Sequence, residues 1–193
     1  KIIKICTITM KADIMWLASV DSTNEEAKRR ISDIDNLSVL SAFEQVSGRG
    51  QRGNGWLSNP GENLTFSIVL KFRNDSTDVT QEDRLPYLPA KEQFILTETA
   101  SISAVEFLKT HGIQAKIKWP NDIYVGTKKI GGILIENNIR GTGISSSIIG
   151  IGLNINQRNF DVNLPNPTSV ILERENFTHH GKDVASLDLR SCL

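Results

Sequence analysis

Short apolar segments alternate with turn residues along most of the chain, and their spacing predicts strands. Residues 15–20, 38–43 and 64–72 are apolar or β-favouring segments of strand length. Residues 1–10 are also apolar, and they suit a first strand better than a signal peptide because no small-residue cleavage site follows them. The first third of the chain is therefore expected to contribute several strands to a sheet.

One long helical pattern separates these strands from a second group. Apolar residues recur at helical spacing over residues 89–109, and Gly112 follows where such a helix should end. Short apolar segments and turn residues then alternate, which predicts consecutive antiparallel strands at 115–119, 123–125, 130–136 and 147–155. The predicted fold class is α+β, with helices packed against a mostly antiparallel mixed sheet.

The connections between these elements carry their own signals. Ser22 and Glu25 form an S-x-x-E capping box, which predicts a short helix ending near Ile31. Residues 44–61 are rich in Gly, Asn and Ser and predict a long connection between two strands, whereas residues 73–84 predict a surface loop. The polar stretch after residue 156 contains Leu187 and Leu189, which favour a short final helix.

Composition narrows the class of protein. The chain has 193 residues, of which 39% are hydrophobic and 23% charged, as in a single globular domain without a membrane span. Lysine plus arginine and aspartate plus glutamate both total 22, so net charge predicts no attraction to nucleic acid or membranes, and an anionic ligand needs a local cluster. Cys6 and Cys192 lie far apart, which favours a reducing compartment and a cytoplasmic location.

The glycine-rich connection contains the string G-R-G-Q-R-G-N-G-W at residues 48–56. Its first six residues match the dinucleotide-binding pattern G-x-G-x-x-G, but that pattern needs a helix to begin within it, and Asn54 and Gly55 disfavour one. An alternative is a loop whose backbone N–H groups and two guanidiniums, those of Arg49 and Arg52, surround a phosphate. An ordinary surface loop is equally compatible with these residues.

Three further segments combine strands with polar or small residues. K-W-P-N-D at 118–122 is compatible with a simple hairpin turn, or with amide and carboxylate contacts to a nucleotide beside a lysine. K-K-I-G-G-I-L-I-E at 128–136 places two glycines inside a strand, where they favour a bulge or a ligand lying against the sheet. I-G-I-G-L-N-I-N at 149–156 is either a core strand or a strand with small residues on one face.

Taken together and in this order, five segments resemble the biotin protein ligase catalytic domain of the biotin/lipoate protein ligase superfamily. They are D-S-T-N at 21–24, the glycine-rich string at 48–56, K-W-P-N-D at 118–122, K-I-G-G-I-L-I-E at 129–136 and I-G-I-G-L-N at 149–154. The resemblance implies a catalytic domain like that of class II aminoacyl-tRNA synthetases.

The activity implied by the resemblance is a two-step ligation. Biotin would be activated with ATP and Mg²⁺ to biotinyl-5′-AMP, and the acyl group would pass to a lysine of a biotin carboxyl carrier protein of acetyl-CoA carboxylase or a related carboxylase. A lipoate or octanoyl transfer enzyme is an alternative, although those enzymes carry an R-R-x-S-G-G-G type of loop. A truncated biotin-binding protein without transfer activity is another, and a nicotinamide-dependent oxidoreductase fits poorly.

The resemblance also implies which residues hold biotin and the adenylate. Arg49 and Gly50 would bind the biotin carboxylate and the adenylate phosphate, and Trp56 would order the loop near the adenosine. Gln51 stands where many members have an arginine that helps to retain the intermediate. The implied contacts in this half of the site are Ser22, Thr23, Asn24, Gln45, Arg49, Gly50, Gln51, Arg52 and Trp56.

The other half of the implied site holds the nucleotide and its metal. Lys129 would lie between the carboxylate and the α-phosphate and act with Arg49 in catalysis, and Asp122 would bind Mg²⁺. Asn154 would lie in the adenine pocket. The implied contacts here are Lys118, Asn121, Asp122, Lys129, Gly132 and Asn154.

The same resemblance sets expectations about domains and partners. Residues 1–193 are expected to form a single catalytic domain. Because only 20 residues precede Asp21, we expect no N-terminal DNA-binding domain and no nucleic-acid partner. The small C-terminal SH3-like barrel of the family is expected to be missing after Leu193. An exposed edge of an antiparallel sheet also suits a homodimer.

Overall fold

The computed structural model describes residues 13–75, 77, 80–177 and 185–193. Its strands are β1 (Ile14–Val20), β2 (Val39–Gln45), β3 (Asn63–Lys71), β4 (Leu88–Pro89), β5 (Lys116–Lys118), β6 (Asp122–Val125), β7 (Lys128–Arg140) and β8 (Gly143–Asn154). Its α-helices are α1 (Thr23–Arg29), α2 (Phe94–Thr110) and α3 (Val170–Phe177). Short 3-10 helices span Gln51–Gly53, Ala90–Glu92 and Leu189–Cys192.

All eight strands of the described residues join one sheet. The order across it is β1-β2-β3-β8-β7-β6-β5, and β4 pairs with β8. The β1–β2 pair is parallel, which requires a crossover connection, and α1 lies in that connection. The pairings from β2 onwards are antiparallel. The predicted α+β class with a mostly antiparallel mixed sheet is thus confirmed.

Strand β8 shows how the sheet separates its two faces. Ile149 and Ile151 belong to the larger core, which includes residues of α2, whereas Ile148 belongs to the smaller core with Ala27 of α1. Because side chains alternate along a strand, Gly150 and Gly152 lie on the α1 face with Ile148. The α2 face is therefore filled by large apolar side chains, and the α1 face carries small residues at mid-strand.

The sequence misplaced some helix boundaries. The long helix begins at Phe94 instead of residue 89, because Pro89 pairs with Gly143 of β8 and a 3-10 turn follows it.

Helix α3 was not predicted, since its sequence V-I-L-E-R-E-N-F has weak helical periodicity and follows a Pro- and Asn-rich stretch. The expected final helix is a 3-10 helix at Leu189–Cys192, and the strand expected over residues 1–10 lies outside the described residues.

The capping prediction was half right. Ser22 is the N-cap residue of α1, but its side chain makes no capping hydrogen bond, and the helix ends at Arg29 instead of near Ile31. The carboxylate of Glu25 instead contacts Lys28 and Arg49.

In the part of the chain that the structure describes, no helix is long and apolar enough to cross a membrane.

Candidate functional site

A cavity of about 250 Å³ opens on the α1 side of the sheet. It is bounded by the start of α1, the glycine-rich loop, the turn before β6, and the central parts of β7 and β8. The structure brings together most of the residues singled out from the sequence. Those that line the cavity are Ser22, Thr23, Asn24, Gln45, Arg49, Gly50, Gln51, Arg52, Trp56, Asn121, Asp122, Lys129 and Gly132.

The corner between β1 and α1 forms one wall through a buried hydrogen-bond network. The backbone N–H and the hydroxyl of Thr23 lie 2.8 Å and 3.1 Å from Gln45 Oε1, which accepts from both. The Ser67 hydroxyl donates to Asn24 Oδ1 at 2.6 Å and lies 2.8 Å from the Thr23 hydroxyl. With its oxygen so occupied, the Gln45 amide presents its NH₂ group as the remaining hydrogen-bonding end.

Asn24 holds the helix to the sheet. Its Nδ2 donates to the Leu134 carbonyl at 3.3 Å and to Glu136 Oε2 at 2.8 Å, while its oxygen accepts from Ser67. Gly150 makes this approach possible, because a Cβ at that position would lie 2.3 Å from Asn24 Oδ1. The amide of Asn24 is therefore engaged by the protein itself. Ser67 was missed by the sequence analysis, although it lies between the apolar residues Phe66 and Ile68, whereas Gly150 was noted only as part of the motif at 149–154.

Arg49 at the cavity rim faces two carboxylates. It forms an ion pair with Glu25 and lies 3.6 Å from Glu136 Oε1. Lys28 bridges the same two acids, with its Nζ 2.9 Å from Glu25 Oε1 and 2.6 Å from Glu136 Oε1. Burial would raise the pKa of Glu136, but hydrogen bonds from Lys28 and Asn24 and the charge of Arg49 outweigh it and hold that pKa below its usual range.

The glycine-rich loop turns back on itself as a compact hairpin. The Trp56 N–H donates to the Gly48 carbonyl at 2.9 Å, and the Gly50 N–H donates to the Asn54 carbonyl at 2.7 Å. Residues 48–56 are all described and contain a single 3-10 turn, with no α-helix. The expectation that a dinucleotide-binding helix is absent is thus confirmed.

Trp56 closes this loop onto the sheet. Its indole lies against Gly132 of β7 and Gly152 of β8, which are cross-strand partners. A Cβ at Gly152 would lie 2.4 Å from Trp56 Cε2, and one at Gly132 would lie 3.3 Å from Cζ3. The indole Nε1 is buried and has no hydrogen-bond partner among the described residues. The glycines therefore create a groove that the indole occupies, with an unsatisfied donor inside it.

Lys129 and Asp122 form an ion pair across β6 and β7. The Lys129 Nζ lies 2.7 Å from Asp122 Oδ1 and 5.9 Å from the centroid of the Trp56 ring. Asn121 fastens the preceding turn to β7, because its Nδ2 donates to the Ile133 carbonyl at 3.1 Å and its own carbonyl accepts from the Ile133 N–H at 2.9 Å. One cation and one anion thus face the cavity opposite the glycine-rich loop.

Two of the predicted contacts lie elsewhere. Lys118 is exposed on β5, and its Nζ lies 3.2 Å from the Tyr124 hydroxyl and 4.6 Å from the centroid of that ring. Asn154 is 5% exposed and donates through Nδ2 to the Thr168 carbonyl at 2.9 Å. In the arrangement described here, neither side chain is among those that line the cavity.

Asp122 is the only carboxylate among the residues that line the cavity. Across the described ranges, no group of three or more His, Cys, Asp or Glu side chains is placed to hold a metal ion. Mg²⁺ in nucleotide sites is usually held by one or two carboxylates together with the substrate phosphates, so a single aspartate is compatible with such an ion.

The sequence matches the model of the Biotin/lipoate A/B protein ligase family over residues 16–156. The chain is 33% identical over 143 residues to the bifunctional ligase/repressor BirA of Bacillus subtilis, which covers 74% of this chain and 39% of that protein. It is 30% identical over 139 residues to a biotin–[acetyl-CoA-carboxylase] ligase of Paracoccus denitrificans, covering 72% of this chain and 53% of that protein. The chain thus spans about half or less of the length of these relatives.

Solved structures show the same fold. The biotin protein ligase of Aquifex aeolicus in complex with biotin and ATP superposes with a TM-score of 0.69 at 26% identity, covering 93% of this chain and 65% of that one. The biotin protein ligase of Leishmania major in complex with biotinyl-5-AMP superposes with a TM-score of 0.71 at 24% identity, covering 95% of this chain and 71% of that one.

Proposed function

Since this chain belongs to the Biotin/lipoate A/B protein ligase family, we propose that it activates biotin with ATP and transfers the acyl group to a lysine of a biotin carboxyl carrier protein. The observation that carries this proposal is the convergence of three separate segments on one cavity. The Thr23–Gln45 corner, the glycine-rich loop and the Lys129–Asp122 pair all face it. Each supplies a different part of what the two-step reaction needs.

In the first step, a carboxylate oxygen of biotin attacks the α-phosphorus of ATP and pyrophosphate leaves. Two anions approach each other, so the site must provide fixed positive charge where they meet. Arg49 and Lys129 are the two cations that we assign to this task. At rest they are paired with Glu25 and Asp122, and the substrate anions take the place of these carboxylates.

The uncharged end of biotin is assigned to the Thr23–Gln45 corner. A ureido group has both donors and an acceptor, and this wall offers a hydroxyl, the free NH₂ end of Gln45 and backbone groups in fixed positions. Trp56, whose indole packs against Gly132 and Gly152, would order the loop near the adenosine. Asn24 acts here as a support for this wall, because its amide is already engaged.

The remaining assignments follow the same geometry. Gly50, Gln51 and Arg52 belong to the loop that would close over the adenylate and keep water from the mixed anhydride. Mg²⁺ bound with ATP would supply charge neutralisation for the departing pyrophosphate, and we assign Asp122, the carboxylate that lines the cavity, to hold it. In the second step, the carrier lysine amine attacks the acyl carbon, an amide forms and AMP leaves.

Two properties of the protein beyond the site are also proposed, namely its location and its oligomeric state. We propose that the protein is cytoplasmic, because its two cysteines lie far apart in the sequence. We also propose that it forms a homodimer through an edge of its largely antiparallel sheet. We also propose that Lys118 and Asn154, which do not line the cavity, contact the nucleotide when it is bound.

The test is a mass-spectrometric assay of the purified chain with biotin, ATP, Mg²⁺ and a biotin carboxyl carrier domain. We expect the carrier to gain one biotin, and we expect Lys129→Ala to lose the activity while the surface variant Lys109→Ala keeps it. Formation of the adenylate without transfer would favour a biotin-activating fragment that lacks transfer activity. Modification of a lipoyl domain with lipoate instead would favour the lipoate ligase alternative.

A further inference from the structure

The backbone of Lys129 is held by a segment far along the chain. β7 pairs with β8 only from Gly131 onwards, so the first residues of β7 lack that neighbour. The segment 166–168 takes its place. The Lys129 N–H donates to the Asn166 carbonyl at 2.8 Å, and the Thr168 N–H donates to the Lys129 carbonyl at 2.8 Å.

Thr168 is itself fixed through its other polar atoms. Its carbonyl accepts from Asn154 Nδ2 at 2.9 Å, and its hydroxyl donates to Glu173 Oε1 at 2.5 Å. Lys128 Nζ lies 3.3 Å from the same Glu173 oxygen. Thr168 is 1% exposed and Glu173 is 7% exposed, so these bonds are made away from water, where losing a partner is costly.

These contacts account for two polar residues that lie outside the cavity, Asn154 and Glu173. Asn154, expected in the adenine pocket, is used to anchor the Thr168 carbonyl. Glu173 carries a buried carboxylate on α3, outside the residues 16–156 that match the family, and no part of the cavity uses it. Both residues meet at Thr168, which contacts the backbone of Lys129.

The position of Lys129 matters because its side chain is long and flexible. Four rotatable bonds separate its ammonium from the backbone, and a displacement of about 1 Å at a reacting centre can lower a rate by about a hundredfold. When a substrate anion displaces Asp122, the backbone becomes the fixed point from which the side chain is aimed.

We propose that Thr168 and Glu173 are positioning residues for Lys129: the buried Glu173 carboxylate holds the Thr168 hydroxyl, and Thr168 holds the backbone of Lys129 in register with the cavity. This inference rests on the proposed function for its effect on catalysis. The hydrogen bonds that carry it do not depend on that function.

The experiment uses the whole chain and two readouts. The first is amide hydrogen exchange at Lys129 and Thr168 measured by NMR, which needs no substrate. The second is pyrophosphate release with biotin, ATP, Mg²⁺ and the biotin carboxyl carrier domain, whose lysine accepts the acyl group and allows repeated turnover. For Glu173→Ala we expect faster exchange at both amides, and a fall in kcat of about tenfold or more with KM changed by less than about threefold.

Three further variants separate positioning from folding. Glu173→Gln keeps an oxygen that accepts from Thr168 and should restore most of kcat. Thr168→Val replaces the hydroxyl with a methyl group of similar size, and it should reproduce the effects of Glu173→Ala even if that variant does not fold. Glu175→Ala, on the same helix and paired with Arg158 at the surface, is the control and should change neither readout.

The outcomes are distinct for the two proposals. If the unmodified chain releases no pyrophosphate, the proposed function fails, and the exchange data still decide whether Thr168 and Glu173 hold Lys129. If Thr168→Val and Glu173→Ala keep the exchange of the Lys129 amide and a kcat within twofold of the unmodified chain, the positioning role is overturned.

Discussion

The two faces of the central sheet are built from the same strands and differ in what their side chains do. On the α2 face, Ile149 and Ile151 pack into a continuous apolar core. On the α1 face, Gly150 and Gly152 of the same strand leave room for Asn24 and the Trp56 indole. Because side chains alternate along a strand, the same strand packs into the core on its α2 face and leaves room for the site on its α1 face.

The α1 face also differs in how it treats polar groups. Ser67 is fully buried there and bonds to Asn24 at 2.6 Å, so its hydroxyl is satisfied. Ser101 of α2 is 1% exposed, and its hydroxyl has no hydrogen-bond partner among the described residues. The polar side chains around Asn24 are paired with one another, which fixes their orientation before any ligand arrives.

The largest effect is expected from shortening a buried side chain on the α2 face. Leu108 is fully buried in the α2 core, and Leu108→Ala should lower the free energy of unfolding by about 3 kcal/mol, through lost burial and the cavity left behind. Urea unfolding measures this loss. Biotin affinity, measured by calorimetry where the variant is still folded, should not change. A large loss of affinity would show that the two faces are not independent.

The converse change adds a side chain to the α1 face, where Gly152 leaves room for the Trp56 indole. Gly152→Val should weaken biotin binding by about a hundredfold or more, which corresponds to about 2.7 kcal/mol, because the new side chain pushes the Trp56 indole into the cavity. Calorimetric titration measures this affinity. Ile149→Val, on the other face of the same strand and not among the residues that line the cavity, is the matched control; it should cost about 1 kcal/mol of stability and leave binding unchanged. Equal binding by both variants would contradict the groove as the site.

Two buried serines, one hydrogen-bonded and one without a partner among the described residues, test whether the polar network of the α1 face adds stability. Ser67→Ala should cost about 1–2 kcal/mol of unfolding free energy, because Asn24 Oδ1 loses its buried donor. Ser101→Ala should be neutral or slightly stabilising, since its hydroxyl is buried without a partner in the described structure. Chemical denaturation of both variants gives the comparison. An equal cost for the two would mean that the network around Asn24 adds nothing to stability.

The smallest expected effect depends on pH. Because the pKa of Glu136 is lowered in the folded state, its contribution to stability is present above the unfolded value of about 4.3 and is lost as the pH falls through the folded value. Glu136→Gln should therefore be less stable than the unmodified chain near neutral pH, and this difference should shrink in acid. Urea unfolding across this range measures it. A constant difference would show that the carboxylate charge is not what matters.

Much of the site could be predicted from the sequence because its chemistry is concentrated in short motifs. The glycines at 132 and 152, the lysine at 129 and the S-T-N corner are local signals, and the structure gathers them around one cavity. The helix at 94–110 was found but begun too early, since the sequence does not show that Pro89 pairs with a distant strand. Helix α3 was missed because its own residues carry little periodicity.

The fold class, the family and the types of residue in the site follow from the amino-acid sequence, because alternation, turn residues and motif spacing are properties of neighbouring positions. The partner that each polar group takes is settled when the chain folds. Asn24 is committed to Ser67 and Glu136, and Thr168 holds Lys129. These pairings join residues far apart in the chain, and they depend on the register of the sheet, which brings those residues within hydrogen-bonding distance.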